Sequence, residues 1–137
     1  EAEAIAAGRA SREIKPRGLA GVLFGLVAGL IKTAPATVDE FLTDGQVLPV
    51  LGGLRVVETF GHTPGHISLF APSVRVLFTG DSIVAGDGKL MPSRRSNTWD
   101  MDRALEAVRL QAALGAQIVC SGHGPVVKDA AAKFPQV

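Results

Sequence analysis

Every histidine of this 137-residue chain lies in a short glycine-flanked turn, and no other feature constrains its fold so tightly. Gly61-His62-Thr63-Pro64-Gly65-His66 follows one apolar run, Thr79-Gly80-Asp81 ends a second, and Ser121-Gly122-His123-Gly124 ends a third. Glycine lets a backbone come close to an ion, and proline fixes the direction of the turn. Imidazole and carboxylate suit zinc, and also iron or manganese. Alone, each turn means little. A histidine in a turn is more often a hydrogen-bonding residue, and a Gly-Asp pair is usually only a turn. Three of them together point to a metal site, and they converge only if the runs before them are strands side by side in one sheet.

The rest of the chain fits that requirement. Residues 1–13, rich in Ala and Glu, predict a helix that Lys15-Pro16-Arg17-Gly18 breaks. The uncharged run Gly18–Ile31 has 14 residues, short of the roughly 18 to 20 that span a bilayer. It reads as a buried or substrate-side loop-helix segment, with no transmembrane segment expected. A loop over 33–37 leads into strands expected at 38–42, 46–51, 54–60, 67–71 and 74–79. Thr43-Asp44-Gly45 is turn chemistry, and Gly52-Gly53 a hairpin signal. The runs 67–71 and 74–79, joined across Pro72-Ser73, predict adjacent antiparallel strands covered on both faces. Residues 86–99 read as polar and irregular. A helix capped by Asp100 follows, with Met101, Leu105, Val108 and Ala112 on one face and Gly115 as its stop. A short strand over 117–120, the turn at His123 and a weakly helical tail through Ala130–Ala132 complete an α+β pattern. The chain reads as one domain.

Composition narrows the function classes. Fourteen basic and 13 acidic residues give a net charge of +1, so nothing draws the chain to nucleic acid or an anionic membrane. With Cys120 as its single cysteine, it needs no oxidising compartment, and the cytoplasm is the expected setting. Because the chain starts on Glu1 rather than Met, it is expected to be a fragment, a processed product or a trimmed piece.

In order and spacing, the His62-Thr63-Pro64-Gly65-His66, Thr79-Gly80-Asp81 and Ser121-Gly122-His123-Gly124 motifs resemble the last three metal-site motifs of the metallo-β-lactamase superfamily, above all its glyoxalase II-like hydrolases. The resemblance covers roughly residues 38–127. It implies the C-terminal part of an αββα sandwich with a mixed or antiparallel sheet. It also implies that His66 and His123 are metal ligands, that Asp81 bridges two metals, and that His62 orients the site. The implied chemistry is cleavage of an ester, thioester, lactone or amide by metal-activated water, with zinc as cofactor and iron or manganese as alternatives. The family's leading His-x-His-x-Asp-His cluster is absent from these residues, and no further histidine replaces it. The chain alone is therefore expected to bind metal weakly, partially or not at all. Apolar surface left by the absent part makes a homo-oligomer the expected form, a swapped dimer among its possibilities.

Other residues carry lesser expectations. Lys89, Arg94 and Arg95 lie in the polar stretch before the helix, which the resemblance places at the mouth of the site. Arg94 and Arg95 are candidates to hold a substrate carboxylate, although a solvated loop charge is the plainer reading. Cys120 reads as a buried strand cysteine. Ser82 and Ser121 have no base at triad spacing other than the presumed ligands, which disfavours serine catalysis. Two further readings stand beside hydrolysis. One is a non-catalytic truncated domain that self-associates or binds a partner. The other is an iron-dependent, sulfur-oxidising relative.

Overall fold

A computed structural model describes residues 2–8, 34–135 and 137. The break at Lys15-Pro16-Arg17-Gly18 and the apolar run Gly18–Ile31 lie outside the described residues. The chain divides into two compact units, Glu1–Phe41 and Leu42–Val137. The described part of the first unit holds a short helix, α1 (Ala2–Ala6), which closes in a turn at 7–8. Residues 34–43 have no regular structure, so the strand expected at 38–42 does not form. Asp39 and Glu40 are poor strand formers, and Phe41 is 76% exposed, so this stretch has no buried face to fix a register.

The second unit is built on one seven-stranded sheet. Its strands are β1 (Val47–Leu48), β2 (Leu54–Glu58), β3 (Ile67–Ala71), β4 (Val76–Gly86), β5 (Lys89–Pro92), β6 (Ile118–His123) and β7 (Val127–Lys128). They run in the order β1-β2-β3-β4-β6-β7, with β5 paired to the far half of β4. Every pair is antiparallel except β4–β6, which is parallel. A parallel pair needs a crossover. Here β5 and the helix α2 (Met101–Ala113) lie between the two strands in sequence. Among the described residues no helix is long and apolar enough to cross a membrane.

Several elements differ from expectation for local reasons. β1 stops at Leu48 because Pro49 has no amide to donate and Leu51 and Gly52 take positive φ, at 51° and 73°. The β1–β2 connection is therefore a hairpin, but its loop is Pro49–Gly53 rather than Gly52-Gly53 alone. The stretch expected to be irregular from 86 contains a second hairpin. Asp87 and Gly88 both have positive φ, 50° and 70°, and turn β4 back as β5. An Asp-Gly pair between apolar runs is a strong hairpin signal, and Ile83-Val84-Ala85 and Leu90-Met91 supply those runs. A short 3-10 turn follows at Arg95–Asn97.

The main core cluster lies on one face of the sheet. Phe70, Leu77 and Val119 form a row across β3, β4 and β6, joined by Val57 of β2 and by Ile83, Ala85, Leu90 and Val127 and covered by Val108 of α2 with Ala116 and Ala130. The opposite face of β3 and β4 is only half-buried at Ile67, Leu69, Val76 and Phe78, so these strands are not covered equally on both faces. α2 buries Ala104, Ala107, Val108 and Gln111; of the expected stripe Met101–Leu105–Val108–Ala112, only Val108 is fully buried and the other three are half-buried. Small side chains let this helix come close to the sheet. Gln111 is tolerated there because its amide donates to Ser82 Oγ at 2.9 Å.

The caps of α2 follow the sequence. Asp100 accepts from the amides of Asp102 and Arg103 at 3.1 and 3.2 Å, and Gly115 ends the helix with φ 63°. Arg75 donates twice to the Gly115 carbonyl. Asp100→Ala leaves two orphan amides and is expected to cost about 1 kcal/mol in urea unfolding. An unchanged midpoint would show that the cap is not holding the helix start.

Candidate metal centre

Three neighbouring strands bring the histidine turns together. His62 and His66 lie on the loop between β2 and β3, Asp81 lies within β4, and His123 ends β6. β3 starts opposite the middle of β4, with Leu69 facing Phe78. This sets His66 beside Asp81. β4 and β6 run parallel, so His123 emerges in the same direction as Asp81. The β4–β6 ladder is irregular here. Between Phe78–Cys120 and Gly80–Ser121, and again before Val84–His123, β4 uses more residues than β6. Such a bulge re-aims side chains, and Asp81 lies within it.

Asp81 is the hub. Its Oδ2 lies 3.7 Å from His62 Nε2, and its Oδ1 lies 3.6 Å from His123 Nε2. Its own amide donates to His66 Nε2 at 3.2 Å. The rings of His62 and His66 meet edge to face with centroids 5.9 Å apart. Exposure is graded: the His62 side chain is 2% exposed, Asp81 34% and His123 72%. The cluster thus runs from a buried histidine to a solvent-facing one, with the carboxylate between them.

Two glycines make this approach possible. A Cβ on Gly122 would overlap Asp81 Oδ1, and a Cβ on Gly80 would come within 2.9 Å of His66 Nε2. Neighbouring groups hold Asp81 from behind. Ser93 Oγ donates to the Asp81 carbonyl. Ser82 Oγ donates to the Thr79 carbonyl at 2.8 Å. Ser82 is fully buried and tied to Gln111, so it has no access to a substrate. Ser121 Oγ is turned back onto the His123 carbonyl at 2.7 Å.

The start of α2 is stitched to the first motif. The Trp99 amide donates to the His62 carbonyl at 3.2 Å and the Asp100 amide to the Gly61 carbonyl at 2.9 Å. Trp99 also carries the Arg103 guanidinium over its ring, 5.7 Å from the centroid. Lys89, Arg94 and Arg95 are exposed on β5 and the turn after it. Cys120 is half-buried on β6.

Two residues that the sequence did not single out complete the surroundings of His66. Thr59 Oγ1 lies 2.8 Å from His66 Nδ1 and 3.0 Å from Ser68 Oγ. Ser68 is a polar residue buried inside an apolar strand, and that is the one cue the sequence offers for it.

The donor set has the chemistry of a metal site. Two ligands of one tetrahedral zinc, each about 2.0 to 2.1 Å from the ion, lie roughly 3.4 Å apart. The Asp81–His123 separation of 3.6 Å is close to that. Asp81 and His123 are spaced as two donors to one metal would be. Among the described residues, no three His, Cys, Asp or Glu side chains are already closed around one point.

Comparison with known proteins places this arrangement. The family model of the metallo-beta-lactamase superfamily matches residues 2–123. The lactamase-like protein nscB of Aspergillus fumigatus is 30% identical over 112 residues, covering 81% of this chain and 32% of that protein. A hydroxyacylglutathione hydrolase of Cereibacter sphaeroides is 39% identical over 70 residues, covering 50% of this chain and 26% of the enzyme. The crystal structure of a metallo-beta-lactamase family protein from Thermus thermophilus superposes with a TM-score of 0.61 at 28% identity, over 75% of this chain and 35% of that one. The chain spans about a third or less of the length of these relatives. With the family matched over most of its length and the fold matched independently, the chain belongs to the metallo-beta-lactamase superfamily.

Proposed function

We propose that this chain is part of a metal-dependent hydrolase that cleaves an ester, thioester, lactone or amide, with His66, Asp81 and His123 as metal ligands and His62 as the group that orients Asp81. The observation that carries the reading is one carboxylate shared between two imidazoles, at 3.6 and 3.7 Å on its separate oxygens. Thioesters lead the substrate classes, in line with the similarity to a hydroxyacylglutathione hydrolase. Zinc is the first choice of metal, and iron or manganese could use the same donors. When bound, the metal lowers the pKa of a water and polarises the substrate carbonyl.

The chain's own residues do the rest. His66 and His123 hold the edges of the site, and Asp81 stands between them on a bulge fixed by Ser93. His62, buried and close to Asp81 Oδ2, limits where the carboxylate can swing. Arg94 and Arg95 are available to a substrate carboxylate. Two histidines and one aspartate leave coordination positions for further donors, supplied by the same polypeptide or by a partner. Exposed Val47, Val50, Leu51 and Val74 favour self-association as an accompanying property.

Zinc titration of the chain against a chromophoric chelator tests this. Weak binding of about one equivalent or less is expected, and His66→Ala, Asp81→Ala and His123→Ala should each weaken it at least tenfold, roughly the scale of losing a site contact. Variants that bind as the parent does would remove these residues from the ligand set. Hydrolysis of a thioester by the 137 residues alone is expected to be weak or absent.

A further inference from the structure

Both ring nitrogens of His66 have partners among the described residues, and those partners determine where its proton sits. Nε2 lies 3.2 Å from the Asp81 amide nitrogen. A backbone amide can only donate, so Nε2 must accept and carries a lone pair. A neutral imidazole has one proton, which therefore belongs to Nδ1. Nδ1 lies 2.8 Å from Thr59 Oγ1. The ring must donate there and the threonine must accept. A threonine donating to Nδ1 would leave both ring nitrogens bare of protons, an imidazolate.

The hydroxyls beyond continue in the same direction. Thr59 Oγ1 lies 3.0 Å from Ser68 Oγ, and Ser68 Oγ donates to the Thr79 carbonyl at 3.5 Å. The arrangement that uses every proton runs from the Asp81 amide to His66 Nε2, then from Nδ1 to Thr59, from Thr59 to Ser68, and from Ser68 to the Thr79 carbonyl. One end can only donate and the other can only accept. Thr59 and Ser68 are each 1% exposed and Thr79 is 0%, so water does not compete for these bonds. Both ends of the relay fall on β4, at Thr79 and Asp81. The chain of hydroxyls therefore ties the histidine to the strand that carries the aspartate.

We propose that Thr59, backed by Ser68, is a positioning residue that, together with the Asp81 amide, holds His66 in the Nδ1–H tautomer, so that a metal displacing that amide meets a lone pair already on Nε2. The proposal rests on the reading of His66 as a ligand. It adds which nitrogen binds and what selects it. A partner on the remote nitrogen fixes both ring orientation and tautomer. A hydroxyl that accepts from the ring and donates onward does so without placing a second charge in a buried position.

The test uses the 15N-labelled chain without metal, at a pH of about 8, above the ordinary histidine range near 6.5. Long-range 1H–15N correlations identify the protonated ring nitrogen of His66. The parent and Thr59→Ser are expected to show Nδ1 protonated and Nε2 bare, and Thr59→Val to show a mixture of the two tautomers. Zinc affinity by chelator competition should fall about 10- to 100-fold in Thr59→Val and return to within about threefold of the parent in Thr59→Ser. Should Thr59→Val not fold, Ser68→Ala removes the backing and leaves Thr59 in place, with a smaller shift of tautomer and affinity in the same direction. A parent chain with His66 protonated on Nε2 overturns the proposal. So does a folded Thr59→Val that keeps the parent's tautomer or the parent's zinc affinity, or, where Ser68→Ala is the variant tested, a folded Ser68→Ala that does. A parent that binds no zinc, yet has Nδ1 protonated, removes the ligand reading of His66 and leaves the tautomer lock standing.

Discussion

Gly61→Ala is expected to destabilise the chain by about 2 to 6 kcal/mol. Two costs add. Gly61 has φ 137°, a backbone conformation that side chains rarely adopt, at about 1 to 3 kcal/mol. Its Cβ would also fall on the backbone nitrogen of Ala104 in α2. Backbone cannot swing aside as a flexible side chain can, and overpacking of this kind costs about 1 to 3 kcal/mol. Either the helix start or the His62–His66 loop must move, and the hydrogen bonds from Trp99 and Asp100 to that loop move with it. Gly88→Ala is the control. Gly88 also has positive φ, at 70°, but nothing lies within 4 Å of its added Cβ. It should lose only about 1 to 2 kcal/mol for the left-handed backbone. Urea midpoints at constant slope compare the two. Equal losses would mean that the close packing of the loop on α2 does not exist.

Gly122→Ala should separate function from stability. Here the added Cβ meets the Asp81 carboxylate oxygen that faces His123, and comes within 3.2 Å of the Gly80 carbonyl. Gly122 is not among the glycines with positive φ, so backbone strain is not the main cost. The carboxylate must turn away and the Asp81–His123 pair opens. A weakening of zinc binding by about 10- to 100-fold is expected, the scale seen when the surroundings of a ligand are altered, with a stability loss on the order of 1 kcal/mol. Chelator competition beside urea unfolding reads both. If affinity stays at the parent's value while Asp81→Ala abolishes it, the carboxylate binds metal from a position other than the one seen here.

Much of this was legible before the structure. The three turns announced themselves because their glycines and proline do local work that other residues cannot do. The cap at Asp100 and the stop at Gly115 were legible for the same reason. So was β3, because its apolar run is bounded on both sides by turn residues. The Asp87-Gly88 hairpin carried an equally local signal, hidden among the polar residues after it. What failed were features set by neighbours. Val38–Leu42 has apolar residues but no partner strand among the described residues. The face of α2 is set by which side chains are small enough to approach the sheet, so Ala104 and Ala107 went in where Met101 and Leu105 were expected. Gln111 is buried because Ser82 waits for it, 29 residues away in the chain.

The same division holds at the site. Residue type and local backbone chemistry marked the turns that carry metal-donor side chains, and the family resemblance implied His66, Asp81 and His123 as the ligands, with His62 beside them. Those properties travel with a short stretch of sequence. How the side chains meet depended on contacts between distant stretches. The parallel pairing of β4 with β6 brought Asp81 and His123 to one end. The bulge in β4 aimed the carboxylate, and Gly122 left it room. Thr59 and Ser68 took their place behind His66 only because β2, β3 and β4 are neighbours. A hydroxyl has no meaning for a histidine seven residues away until a sheet sets its oxygen within hydrogen-bonding reach of the ring.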